Sequence, residues 1–152
     1  GMGGIEAIRQ ITRLDGNAKI LVFSMHEELV FVEQALQAGA YGYMTKSANP
    51  QLLSKAIKKI YSGKQYIDDE LQKRMLYKKS TEDDPQLSDL STREFQIFCL
   101  LAEGLNTAEI SKQLSISYKT AANYGTQIKN KLNVTTVADI ARIAIRHNII
   151  KA

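Results

Sequence analysis

The 152-residue sequence has one cysteine, two prolines, two histidines and no tryptophan. The single Cys99 excludes an intrachain disulfide framework and a cysteine-based zinc cage. Two histidines and one cysteine are also too few for an ordinary His/Cys metal site. No apolar run approaches the roughly 18 residues a bilayer-crossing helix needs, and the first residues lack the basic-then-apolar pattern of a secretory signal. No paired carboxylates, nucleophile–base set or glycine-rich phosphate loop can be read from the chain, so an enzyme is the least supported class. These absences predict a cytoplasmic, soluble protein of a reducing compartment, without a membrane partner.

What is present divides by charge. The 20 Lys and Arg against 16 Asp and Glu give a net charge of +4, which permits a polyanionic partner without demanding one. Residues 1–79 carry +4, residues 80–89 carry four acids and no base, and residues 90–152 carry +4 again. The acidic stretch contains Ser80–Gln86, which has no apolar residue and holds Pro85, so it reads as a linker between two basic segments.

The first segment alternates element types. Ile5–Ile11 has helical apolar spacing and Gly16 follows it; Lys19–Met25 is a short continuous apolar run, as in a strand covered on both faces. A helix over about Glu28–Gln37 stops at Gly39, and Ala40–Lys46 reads as a second strand. Asn49-Pro50 opens a further helix reaching about Tyr61 and closed by Gly63. Helix and strand in alternation point to a doubly wound parallel sheet, although two strands are too few to bury both faces of one. The domain reads as incomplete.

The second segment, from about Leu87, has no strand candidate. Ser91-Thr92-Arg93-Glu94 is a capping box, in which Ser accepts from free helix N–H groups and Glu reaches back three residues. The helix it starts places Phe95, Phe98, Leu101 and Ala102 on one face and ends at Gly104. Asn106-Thr107-Ala108-Glu109 repeats the device for a short helix with Ile110 and Leu114 inward. After Ser115-Ile116-Ser117 a long helix runs to about Leu132, and Thr136 starts a fourth with Val137, Ile140, Ala141, Ala144 and Ile145 apolar. The result is a compact four-helix bundle.

A short capped helix, a three-residue turn and a longer helix match the helix-turn-helix arrangement, whose second helix enters the major groove of DNA. From Ser117 to Leu132 there is no acid; Lys119, Lys129 and Lys131 can neutralise phosphates, and Thr120, Asn123, Tyr124, Thr126 and Gln127 are hydrogen-bonding side chains. A solvated face on an ordinary bundle would show the same composition.

The motifs in order narrow this further. Leu90-Ser91-Thr92-Arg93-Glu94, Leu100–Leu105, Glu109-Ile110-Ser111, Leu114–Ser117, Lys119-Thr120 and Lys131–Val134 together resemble the LuxR-type DNA-binding domain over the whole second segment. The first segment resembles the C-terminal half of a response-regulator receiver (CheY-like). Gly1–Ala7 resembles the loop and helix after the phosphoacceptor strand, Ser24 the switch hydroxyl, Tyr43 the switch aromatic and Lys46 the phosphate-sensing lysine. The combination is similar to the NarL/FixJ class of two-component response regulators. Tyr61–Lys64, Tyr66-Ile67 and Ala144–His147 bring it closest to the GacA/UvrY-like global activators.

The resemblance implies residues 1–64 as a receiver remnant lacking its first strands, 65–86 as a helical and acidic linker, and 87–152 as the DNA-binding domain. It implies a homodimer on double-stranded DNA, with the last helix as the dimer contact. A sensor histidine kinase and Mg²⁺ are expected only for an intact receiver. The family's acidic cluster and phosphorylated Asp find poor substitutes in Glu6 and Asp15, so this chain is expected to be a fragment that accepts no phosphate. Ala122 and Gly125 depart from the family pattern in the recognition segment, and a glycine inside a helix costs roughly 1 kcal/mol relative to Ala. Cys99 reads as a core side chain, His26 as a loop histidine and His147 as a helix-end residue suited to the dipole. The competing class is an interaction module that uses the exposed sheet edge at Lys19–Met25 to recruit another chain.

Overall fold

The computed structural model describes residues 2–80 and 87–151. The chain forms two compact units, Gly1–Asp83 and Asp84–Ala152. The acidic residues 81–86 of the expected linker lie outside the described residues.

The first unit runs α1 (Met2–Leu14), β1 (Leu21–Ser24), α2 (Leu29–Ala38), β2 (Gly42–Thr45), α3 (Leu52–Tyr61), β3 (Tyr66–Ile67) and α4 (Asp69–Ser80). The strands form one parallel sheet in the order β1-β2-β3, with Val22 opposite Tyr43 and Gly42 opposite Tyr66. Parallel neighbours joined by helices are what the alternating sequence predicts. The sheet differs from expectation in two respects. β1 is an edge: Phe23 is 46% exposed, and burial of every residue falls to β2, the strand paired on both sides. In addition, Tyr66-Ile67 belongs to the sheet and not to a linker. Tyr66 is buried with Met44, Ala56 and Ile60, so a two-residue strand too short to show alternation is fixed by one aromatic side chain.

Helix ends follow local chemistry. Gly39 closes α2 at φ 117°, a left-handed conformation that glycine adopts without Cβ strain, and Gly63 and Gly104 also take positive φ. Gly16 does not, since α1 has already ended at Leu14. Asn49 Oδ1 accepts the Gln51 N–H at 3.0 Å in a turn ahead of the helix. Asn49-Pro50 does not open α3 as expected: the helix begins at Leu52, with Gln51 at its N-cap and no side-chain cap.

The second unit opens with a 3₁₀ turn at Leu87–Asp89 and continues with α5 (Thr92–Ala102), α6 (Thr107–Leu114), α7 (Tyr118–Leu132) and α8 (Val137–Arg146). Capping boxes at Ser91/Glu94, Asn106/Glu109 and Thr136/Asp139 start α5, α6 and α8. α5 is buried almost all round, beyond the single face its spacing predicts, because α6, α7 and α8 all pack against it. Phe95 and Phe98 stack at 6.2 Å between ring centres, and Ile128, Leu132, Ile140 and Ala144 close around them fully buried. Two of the five residues in the apolar stripe of α8, Ile140 and Ala144, are therefore core. Val137 and Ile145 stay 41% and 38% exposed.

Gly42 marks the tightest point of the sheet. A Cβ there would lie 2.6 Å from Ile60 Cδ1 and 2.8 Å from the Tyr66 carbonyl oxygen. Because the second contact is backbone, Gly42→Ala should destabilise the first unit by about 2 kcal/mol, read as a lower urea midpoint. An unchanged midpoint would show that β2 and β3 are not held this closely.

Candidate nucleic-acid interface

α6, the turn and α7 form the helix-turn-helix. Asn106 starts α6 by accepting the Glu109 N–H at 2.9 Å. At its other end Ser115 takes φ 54°, which turns the chain so that Ser117 caps α7 by accepting the Thr120 N–H at 3.0 Å. The Ser117 hydroxyl also donates to Thr120 Oγ1 at 2.8 Å. The first turn of α7 is thus fixed by side chains of its own segment.

α7 is anchored inward by Ala121, Ile128 and Leu132. At about 100° per residue, Lys119, Asn123, Thr126 and Asn130 fall on the opposite side, with Thr120 and Gln127 beside them. Lys119, Thr120, Asn123, Thr126, Gln127 and Asn130 are all exposed. Asn130 is absent from the sequence-derived set, although its spacing from Asn123 and Thr126 is the signal that identifies it. Tyr124 and Lys129 lie on the flanks, Tyr124 half-buried. Thr126 donates its hydroxyl to the Ala122 carbonyl at 3.2 Å, leaving its oxygen as an acceptor. A Cβ added at Gly125 would meet nothing within 4 Å, so packing does not require glycine there.

Lys131 is engaged differently from the other basic residues of α7. Its ammonium lies 2.7 Å from Glu94 Oε1 and 3.3 Å from the Asp89 carbonyl oxygen. The Glu94 side chain is only 5% exposed, and the same Oε1 accepts the Ser91 N–H at 2.9 Å as part of the capping box. Burial alone would raise the Glu94 carboxyl, but hydrogen bonds from Lys131 and Ser91 outweigh it and hold the group below the usual carboxylate range. Lys131 therefore fastens the C-terminal end of α7 to the N-terminus of α5. Cys99 is buried, and that burial pushes its thiol up to about 12, a core side chain without thiolate character.

In the first unit the structure gathers Ser24, Tyr43 and the backbone of Lys46. Ser24 Oγ accepts the His26 N–H at 3.1 Å, and the Ser24 carbonyl accepts the Lys46 N–H at 2.8 Å. Tyr43, 2% exposed, donates its hydroxyl to the His26 carbonyl at 2.8 Å. Burial raises its phenol above the ordinary value against the lowering hydrogen bond to Ser24, with Glu28 adding to the rise. The Lys46 side chain is exposed beyond the end of β2. His26 stacks on Phe31 at 4.5 Å. Among the described residues no three His, Cys, Asp or Glu side chains converge, so these residues do not fit a Mg²⁺ site.

Because the Glu94 carboxyl is held low, its contribution to stability is complete above the unfolded carboxylate value and is lost as pH falls through the folded one. The stability difference between wild type and Glu94→Gln should be about 1–3 kcal/mol at pH 7 and should shrink as pH falls from about 5 to about 3 in denaturation titrations. A difference independent of pH would contradict the ion pair.

Comparison with known proteins agrees with both units. Residues 88–144 match the family described as bacterial regulatory proteins, luxR family, and residues 1–58 match the response regulator receiver domain. Response regulator UvrY of Escherichia coli strain K12 is 35% identical over 154 residues, covering 100% of this chain and 71% of its own length. Response regulator GacA of Pseudomonas aeruginosa is 34% identical, covering 100% of this chain and 72% of its own. Among solved structures, RcsB of Salmonella enterica serovar Typhimurium, bound to promoter rprA in the presence of the phosphomimetic BeF3⁻, superposes with a TM-score of 0.64 at 22% identity. The match covers 91% of this chain and 65% of RcsB, and it supports the fold alone. An α/β receiver unit, a four-helix LuxR-type unit and these relatives together place the chain in the family of DNA-binding two-component response regulators.

Proposed function

We propose that this chain binds double-stranded DNA as a transcription regulator, with α7 as the helix that enters the major groove. The carrying observation is the acid-free outward stripe of α7, on a helix whose inner face and C-terminal end are fixed by core packing and by Glu94. On this reading Asn123, Gln127 and Asn130 meet base edges, Lys119 and Lys129 meet phosphates, and Thr120, Tyr124 and Thr126 complete the contact surface. Lys131 acts by holding the helix in place. The exposed Val137 and Ile145 on α8 supply the contact for a homodimer, which would space two recognition helices for half-sites about one helical turn apart. Ser24, Tyr43 and Lys46 are the receiver's switch group, and a sensor histidine kinase with Mg²⁺ acts on an intact receiver. A cytoplasmic location fits such a role.

A second reading rests on β1. It is paired on one side only, with Phe23 46% and Met25 75% exposed, and it could recruit another chain by edge pairing.

Electrophoretic mobility shifts across a salt series test the first reading. Affinity should fall steeply with salt, and Lys119→Ala should flatten the log–log slope by about 0.9. Asn123→Ala should cost about 1–3 kcal/mol on a specific site and little on random duplex. No shift at low salt, or a shift insensitive to salt, would contradict DNA binding; self-association that persists without it would favour the edge reading.

A further inference from the structure

Helix α4 is the last described element before the second unit, and its docking is unusual. It buries Leu71, at 2% exposure, while Leu76 and Tyr77 remain 68% and 72% exposed. Polar ties replace apolar packing. Asp68, immediately before the helix, is 8% exposed, and its Oδ2 accepts the Thr45 N–H at 2.9 Å, with Thr45 Oγ1 at 3.4 Å. Further along the helix, Arg74 donates through Nη1 to the Glu27 carbonyl at 2.8 Å. Lys78 pairs with Glu33 of α2 at 3.2 Å.

The two loops reached in this way are those of the switch residues. Thr45 precedes Lys46. Glu27 follows His26, whose carbonyl holds the Tyr43 hydroxyl and whose N–H is held by Ser24. The loops are also linked to each other: Thr45 Oγ1 lies 2.9 Å from Ser47 Oγ, and Ser47 donates to Glu27 Oε1 at 2.5 Å. Asp68, Thr45, Ser47, Glu27 and Arg74 thus form a ring closed by α4 itself.

We propose that Asp68 and Arg74 make α4 a reporter of the two switch loops, docked while the ring is intact and released as a unit when either loop shifts. Two contacts end on backbone, at the Thr45 N–H that closes β2 and at the Glu27 carbonyl in the loop after β1. Such contacts do not depend on the rotamers of Thr45 or Glu27 and respond only to displacement of the backbone that carries them. The buried Thr45 N–H has no cheap alternative partner once Asp68 leaves. Asp68 Oδ1 is buried without a hydrogen-bond partner among the described residues. With one buried apolar anchor, α4 belongs to the low-stability end of the unit, where local release occurs.

Reciprocity provides the test, because a coupling between two sites must act in both directions. Hydrogen–deuterium exchange is measured on the full chain for wild type, Ser47→Ala, Arg74→Ala, Asp68→Ala and Asp68→Asn. Ser47 lies on a loop outside α4, yet Ser47→Ala should raise exchange in the α4 peptides at least about threefold. Arg74→Ala, which removes the contact to the Glu27 carbonyl, should raise exchange at residues 43–48 by a similar factor. Asp68→Asn, which keeps an acceptor oxygen, should restore most of the protection that Asp68→Ala loses. Faster exchange confined to the peptide that carries each substitution, or no change in α4 with Ser47→Ala, overturns the proposal. The readout involves no DNA, so it stands or falls separately from the DNA-binding reading.

Discussion

The buried carboxylate of Glu94 is the constraint on which the second unit depends. One oxygen accepts the Ser91 N–H, which starts α5, and the Lys131 ammonium, which ends α7. The helix at the centre of the bundle and the second helix of the helix-turn-helix are therefore positioned by the same atom. A charge this far from water is tolerated only because it is paired and hydrogen-bonded, so the pair serves geometry more than net stability. The apolar anchors Ile128 and Leu132 fix the rotation of α7, and Lys131 fixes its far end. What faces outward is then a rigid stripe of amides, hydroxyls and a lysine.

The first unit follows a different logic. Its strands are short, and β2 is the one paired on both sides. Polar contacts gather around β2: Tyr43 lies within it, Lys46 after it, Ser24 beside its end, and Asp68 is bonded to its last residue. Gly42 lets β3 and α3 close against the same strand. The end of β2 is tied to the start of α4 by a hydrogen bond to backbone, beside the one buried apolar anchor of that helix among the described residues, Leu71.

Much of the fold was legible in the sequence, for local reasons. Capping boxes are encoded within four residues, so Ser91, Asn106 and Thr136 marked helix starts that the structure reproduces. Positive-φ glycines marked three helix ends. The stripe on α7 was legible through helical periodicity, apart from Asn130. Three features were hidden because they depend on contacts distant in sequence. Lys131 and Glu94 are 37 residues apart, so a basic residue in a recognition segment read as a phosphate contact. Tyr66-Ile67 is too short for strand periodicity and is held by Met44 and Ile60. Asp68 and Arg74 looked like linker charges until their partners at Thr45 and Glu27 placed them on the switch loops.

The central claim is that DNA is read by the outward stripe of α7. The most direct measurement is an amide chemical-shift map of the isotope-labelled full chain titrated with duplex DNA. The account predicts the largest shifts at residues 117–130, clustered on Lys119, Asn123, Thr126, Gln127 and Asn130. Shifts confined to β1 and α1, with α7 unmoved, would contradict it.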